Sequence, residues 1–213
     1  MDKQGSQSLQ LSGDRVRIER GGRLVLDGLS FAVAAGAALV VTGPNGAGKS
    51  TLLRAIAGLI PLAAGSIRLS GGDADRPLSE HCHYFGHLDG LKSALSVAEN
   101  CAFWHAFLSG GGAASTVTAA LADVGLDHLA SLPAAYLSAG QRRRLSFARL
   151  LVAHRPVWLL DEPTAALDGA SEARLVALVN RHLTAGGLVV AATHAPLAFD
   201  AVARLDLSEG VAA

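Results

Sequence analysis

Gly43-Pro44-Asn45-Gly46-Ala47-Gly48-Lys49-Ser50 is the stretch from which the fold of this chain is read. It fits the phosphate-loop pattern G-x-x-x-x-G-K-[ST] in full. Ala38-Leu39-Val40-Val41-Thr42 precedes it, a short apolar, β-branched run with the character of a buried strand. Ser50 to Ala57, beginning Ser50-Thr51-Leu52-Leu53, follows as a helix. A glycine loop between strand and helix lets Gly43, Gly46 and Gly48 curl the backbone so that its N–H groups converge on an anion. The helix start adds partial positive charge. Lys49 is expected on the β- and γ-phosphates of ATP, and Ser50 on Mg²⁺. Pro44, Asn45, Ala47 and Thr51 complete the expected ATP-binding set.

A second stretch answers the first. Leu159-Leu160-Asp161-Glu162-Pro163-Thr164 closes a buried apolar run in two carboxylates. Asp161, at the strand tip, is placed to hold Mg²⁺ opposite Ser50, directly or through water. Glu162 is the natural base for an attacking water.

Composition narrows the class. The chain has 213 residues, half of them hydrophobic (50%) and only 17% charged, with 18 basic and 18 acidic residues. That is room for one sizeable core with a small subdomain. A net charge of zero gives no reason to expect nucleic acid as a partner. Cys82 and Cys101 are far apart and form no C-x-x-C, which fits a reducing cytosol. The start of the chain is polar and lacks a signal-peptide core. From Gly28 to Gly48 there is no charge, a length of about 20 residues that would span a bilayer. Ala35-Gly36 and Pro44-Asn45-Gly46 break it, so it reads as two short strands and the phosphate loop.

Outward from the loop, residues 1–8 read as a flexible tail and 9–213 as a single nucleotide-binding domain. Leu9 to Glu19 alternates as a half-exposed strand. Gly21-Gly22 is a turn, and 24–26 and 29–33 are two further strands. Gly65 to Leu69 is another. Residues 73–92 read as a polar loop carrying a cluster of three histidines. Two Ala-rich segments, 96–106 and 113–124, read as helices joined by Gly110-Gly111-Gly112, and 137–152 as a third helix with its entry loop. Pro156 to Leu160 and Leu188 to Ala192 are buried parallel strands. Ala170 to Leu183 is an amphipathic helix, with Leu175, Leu178, Val179 and Leu183 at helical spacing. The fold class is therefore α/β: a phosphate-loop core, an antiparallel β subdomain and a helical subdomain at about 88–152.

Leu137-Ser138-Ala139-Gly140-Gln141 resembles the signature sequence of ATP-binding cassette (ABC) ATPases, LSGGQ, with Ala139 replacing one glycine. Phosphate loop, signature and Asp161-Glu162 stand in that family's order, and the likeness spans nearly the whole chain. By the same resemblance Asp168 in Ala165-Ala166-Leu167-Asp168 is the D-loop aspartate. His194 after Ala192-Thr193 is the switch histidine, a catalytic partner of Glu162. The resemblance implies a head-to-tail dimer, in which each signature closes on the ATP held by the second copy. A lone chain would then hydrolyse ATP poorly.

Two positions depart from the family pattern. Counting back from Leu95-Ser96-Val97-Ala98-Glu99-Asn100, the Mg²⁺-contacting glutamine falls on His87. The adenine-stacking aromatic falls near Arg20, which can stack its guanidinium on a base or simply sit in a solvated turn. Tyr84 to Lys92 and Leu132 to Arg144, with Ala192 to Leu197, resemble the CcmA-type subunits of the haem exporter in cytochrome c maturation. That implies membrane subunits of CcmB and CcmC type as partners, haem bound on chains other than this one, and a peripheral place on the cytoplasmic face of the bacterial inner membrane. The runner-up is a soluble ABC ATPase that remodels a protein partner, as in iron–sulfur cluster assembly.

Three features invite other readings. His81-Cys82-His83 with His87 lacks the spacing of a metal or haem site and reads as a loop beside the glutamine position. Arg142-Arg143-Arg144, in a neutral chain, reads as interface and ion-pair residues. Phe103, Trp104 and Phe107 are either core or the groove for a membrane partner's helix.

Overall fold

The computed structural model describes residues 8–108, 116–194 and 197–208. The expected tail, apart from residue 8, lies outside the described residues. So do the Gly110–Gly112 link, the first residues of the helix expected from 113, and residues 195–196 of the last quoted motif.

The chain opens with β1 (Gln10–Arg20) and β2 (Arg23–Ala34), then β3 (Ala38–Thr42), α1 (Lys49–Ile56) and β4 (Ala64–Ser70). A single-turn α2 (Leu78–His81) leads into β5 (Cys82–Phe85). The helices α3 (Val97–Leu108), α4 (Val117–Asp123) and α5 (Ala139–Ala148) follow, with 3₁₀ turns at Asp127–Leu129 and Ala134–Tyr136. The chain closes with β6 (Val157–Asp161), α6 (Gly169–Thr184), β7 (Leu188–Ala192) and β8 (Val202–Asp206).

Two sheets result. The antiparallel one runs β2-β1-β4, and the parallel one β5-β6-β7-β3-β8. In the parallel sheet, side chains alternate between two apolar clusters. Ala38, Val40, Trp158, Leu160, Val189 and Ala191 face the side of α5 and α6. Leu39, Val41, Val157, Leu159, Leu188, Val190 and Ala192 face α1 and the antiparallel sheet. A strand buried on both faces needs an unbroken apolar run, which is what these segments contain. Each fully buried Leu or Val adds about 1.5–3 kcal/mol, so these strands are the rigid part of the molecule.

Three sequence expectations are corrected. Residues 73–92 are not a loop throughout: Cys82-His83-Tyr84-Phe85 pairs with Val157–Leu160 as the edge strand β5. Its polar His83 hid the strand, but that imidazole is buried and its Nε2 is 2.8 Å from the Ala153 carbonyl. Residues 24–26 and 29–33 form one strand rather than two. The register slips between Leu26 and Leu29, where Gly28 takes φ +65°, as a β-bulge requires. Finally, β8 was not anticipated. It pairs in parallel with β3 along Ala38–Thr42, but its exposed, charged residues carry no strand-like alternation.

Candidate functional site

The carboxyl ends of β3, β6 and β7 converge, the usual ligand-binding edge of an open α/β sheet. A cavity of about 480 Å³ lies there, lined among others by Gly46, Gly48, Lys49, Ser50, His87, Asp161, Glu162 and His194.

The phosphate-loop geometry follows from its glycines. Gly43, Gly46 and Gly48 have φ of +135°, +87° and +98°, values that L side chains rarely adopt. Gly48 is needed twice, because a Cβ there would come within 2.9 Å of Leu26 Cδ2. Lys49 is only 8% exposed and donates to the carbonyls of Gly43 (2.7 Å) and Pro44 (3.0 Å). Its ammonium is thus held across its own loop, 3.1 Å from His194 Nε2. His194 Nε2 is also 2.8 Å from Asn45 Oδ1 and 3.6 Å from Glu162 Oε1. A proton on that nitrogen would serve Asn45 and Glu162; its absence would serve Lys49.

Asp161 ends β6 at 1% exposure. Its Oδ1 accepts from the Ser50 hydroxyl at 2.9 Å, and its Oδ2 from the Tyr84 hydroxyl at 3.1 Å. Arg54 Nε donates to the same Tyr84 oxygen at 3.2 Å. Burial, the largest influence on Tyr84, pushes its pKa up, so the phenol stays a donor to the carboxylate. His87 Nε2 lies 3.8 Å from Asp161 Oδ2. One hydroxyl and one carboxylate on facing elements suit a small hard cation that keeps waters and phosphate oxygens as its other ligands. Among the described residues no three His, Cys, Asp or Glu cluster as a closed metal cage.

Glu162 follows at φ +46°, a left-handed conformation costing on the order of 1–3 kcal/mol in a non-glycine residue. Its surroundings hold it there. Its N–H donates to the Ala192 carbonyl (2.8 Å), and its carbonyl accepts from Ala165 N (3.2 Å) and Arg143 Nη2 (2.8 Å).

The other expected residues lie apart from this cavity. Ser138 caps α5 in a capping box: its hydroxyl accepts from Gln141 N at 3.2 Å and Gln141 Oε1 accepts from Ser138 N at 2.8 Å. Ser138 is exposed, and none of Leu137, Ser138, Ala139, Gly140 or Gln141 is among the residues lining the cavity. A Cβ at Gly140 would lie 3.2 Å from the Ala166 carbonyl, so the signature start packs against the turn before Asp168. Asp168 caps α6 by accepting from Ser171 N at 2.8 Å, and the hydrogen bonds from Ser171 lower its pKa. Arg20, at the end of β1 and cross-paired with Arg23, is exposed and is not among those lining residues either.

Two expectations about clusters change. The histidine group is split: His81 lies against the Asp73 carbonyl (3.0 Å), His83 against Ala153, and only His87 faces Asp161. The arginine run, expected in interface and ion-pair roles, makes one ion pair among the described residues, Arg143 to Asp89 at 3.8 Å, and otherwise binds backbone carbonyls. Arg142 Nη1 donates to Leu137 O (2.6 Å), and Arg144 Nη1 to Val124 O (3.0 Å) and Gly125 O (3.1 Å). Arg143 is buried and reaches the carbonyl of Glu162. Sequence reasoning missed it, although a signal existed: consecutive helical residues point about 100° apart, so three arginines cannot all face one partner.

Phe103, Trp104 and Phe107 form a ring cluster on α3, with Phe107 71% exposed and Trp104 half-buried. Trp104 shares a cavity of about 350 Å³ with Leu59, Tyr84 and Arg149. Leu59 and Leu88 are also exposed.

The ABC transporter family model matches residues 26–165. A cytochrome c biogenesis ATP-binding export protein CcmA of Nitrobacter winogradskyi is 58% identical over 189 residues, covering 89% of this chain and 94% of the relative. A protein of the same name from Rhodopseudomonas palustris is 56% identical over 203 residues, covering 95% and 99%. In fold, the chain is similar to a solved Pyrococcus furiosus protein described as an ABC transporter ATP-binding protein. The TM-score is 0.81 at 21% identity, with 95% of this chain and 100% of that one covered.

Proposed function

The chain belongs to the ABC transporter family, within it to the CcmA-type ATP-binding export proteins, and on that premise we propose that it is the ATP-hydrolysing engine of a membrane complex exporting haem for c-type cytochrome biogenesis. The observation that carries the ATPase reading is the meeting of Lys49, Ser50, Asp161, Glu162 and His194 at one sheet edge.

In this reading residues 9–213 act as one nucleotide-binding domain, with 88–152 as its helical part. The Gly43–Thr51 backbone and Lys49 bind the β- and γ-phosphates. Arg20 lies against the base. Ser50 and Asp161 would hold Mg²⁺, with His87 at its edge, and the ion when bound would neutralise negative charge on those phosphates. Glu162 takes a proton from water as the water oxygen attacks the γ-phosphorus. The bond to the β-phosphate oxygen breaks, giving ADP and phosphate. His194, near both Glu162 and Lys49, orients that water and the γ-phosphate.

The signature of a second copy supplies the missing side. Ser138 to Gln141 are not among the residues lining their own cavity, so a head-to-tail dimer is the arrangement in which they meet nucleotide. Asp168 borders the same interface. Among the described residues no helix is long and apolar enough to cross a membrane. The link to CcmB- and CcmC-type membrane subunits is the groove beside Leu59 and Trp104, with Phe103 and Phe107 at its rim. Haem stays on those subunits, and this chain sits peripherally on the cytoplasmic face of the inner membrane.

The test is Glu162→Gln with ATP. We expect a closed dimer by solution mass, turnover reduced about 10²–10⁴-fold, and recovery of polytopic subunits from solubilised membranes. A strict monomer at high ATP sinks the two-site reading. Recovery of a cluster-assembly scaffold instead of membrane subunits overturns the exporter reading.

A further inference from the structure

The signature helix α5 and the catalytic edge of the same chain are joined by one side chain. Arg143 lies on the second turn of α5 and is 5% exposed. Its Nη1 donates to the Gly86 carbonyl at 2.6 Å. Its Nη2 donates to the Asp161 carbonyl at 3.1 Å and the Glu162 carbonyl at 2.8 Å. The guanidinium carbon stands 3.9 Å over the Phe85 ring, and Nη1 is 3.8 Å from Asp89 Oδ1. One planar fork therefore grips the backbone on both sides of the cavity: the residue before His87 on one side, and Asp161 at the end of β6 with Glu162 just after it on the other.

Burying a guanidinium is costly, and an apolar side chain would fill the same space more cheaply. What the arginine adds is direction. Backbone carbonyls accept only along their own planes, and a rigid fork fixes three of them relative to one another. The most strained of the three residues is Glu162, at φ +46°.

We propose that Arg143 is a positioning residue that holds Glu162 in its left-handed conformation and carries displacement of the signature start to Glu162 and His87. This rests on the ATPase reading above. Ser138 begins the same short helix, about 7–8 Å along the axis from Arg143. A helix start that closes on a partner's phosphate moves Arg143 with it. Each subunit's water-orienting carboxylate is thereby set by the state of the other nucleotide site. Arg143 touches no reacting atom and acts only through the backbone of residues 86, 161 and 162.

Arg143→Lys keeps the charge and most of the stem but replaces the fork with a point donor. Arg143→Gln removes the charge and is the second variant should a buried, poorly paired ammonium prevent folding. On the purified full chain, either variant is expected to bind a fluorescent ATP analogue within about twofold of the parent. The Michaelis constant for ATP also stays within about twofold, while kcat falls at least about tenfold. Arg144→Lys, which loosens the same helix at Val124 and Gly125 instead, keeps both constants within about twofold. On a Glu162→Gln background Arg143→Lys adds no further loss, because the two act as one unit. A full kcat in Arg143→Lys and Arg143→Gln overturns the inference. So does an equal fall in affinity and kcat, an equal effect of Arg144→Lys, or an additive loss on Glu162→Gln. Should Glu162→Gln alone retain parental turnover, the underlying ATPase reading fails, which is a different result from failure at Arg143.

Discussion

The starts of α1 and α5 both fall at small capping residues, Gly48 and Ser138, and they are built differently. At the start of α1, Gly48 sits at φ +98° with no side chain to cap the turn, so the first amides are left to the cavity. At the start of α5, Ser138 and Gln141 cap each other's backbone amides, and the turn is satisfied from within. Both termini carry the same partial charge. The first is a standing anion site built from the backbone with Lys49 beside it. The second is a closed, self-sufficient turn on an exposed face, able to offer Ser138 to a neighbour without depending on one. A site that must bind first and a surface that must join later call for these two constructions.

The largest break in that comparison is Lys49→Ala. It removes the one buried cation of the loop, and charge-assisted bonds to phosphate are worth about 1.5–3 kcal/mol each. We expect ATP affinity to fall by about 100-fold or more, measured by titration with a fluorescent nucleotide, and turnover to vanish. The signature helix stays folded, which circular dichroism checks. Ser138→Ala is the milder counterpart. Loss of the cap destabilises α5 by about 1 kcal/mol, lowering the melting temperature by a few degrees. ATP affinity of the isolated chain is unchanged, while ATP-driven dimerisation weakens. Unchanged dimerisation would mean that this helix start does not meet the partner's nucleotide.

A separate effect, of acid rather than of substitution, falls on the frame that carries both starts. Burial lowers the pKa of His83 from 6.5 to about 3 and that of His182 from 6.5 to about 4. The folded chain keeps both imidazoles neutral, whereas the unfolded chain protonates them below pH 6.5. Unfolding therefore takes up protons in acid, so stability is full above that pH and falls as the pH drops toward 4. The loss approaches about 1.4 kcal/mol per pH unit for each histidine. Urea midpoints at pH 7 and pH 5 measure it, and His182→Gln should flatten the slope.

Much of the site was legible in the sequence because its parts are local. The phosphate loop needs glycines at fixed offsets between a strand and a helix, and Gly43, Gly46 and Gly48 supply them with left-handed φ values. Asp161 and Glu162 needed only an apolar strand before them. What escaped was non-local. β5 was obscured by His83, whose hydrogen-bond partner, the Ala153 carbonyl, lies far along the chain. β8 was obscured because its pattern is set by pairing with β3 rather than by alternation of its own residues. Tyr84 gave no sign that its hydroxyl would reach Asp161, 77 positions away.

The sequence by itself carried the family's nucleotide-binding pattern and named the residues expected to meet the phosphates. Backbone curvature, strand burial and helix starts are properties of short segments, and composition writes them directly. Only the tertiary structure decided how those residues are held. Tyr84 and Ser50 saturate Asp161 from two elements. Arg143 fixes Glu162 from a third. The physical reason is that a buried donor finds its acceptor by proximity in space, and no local pattern in the chain encodes which carbonyl will be within reach.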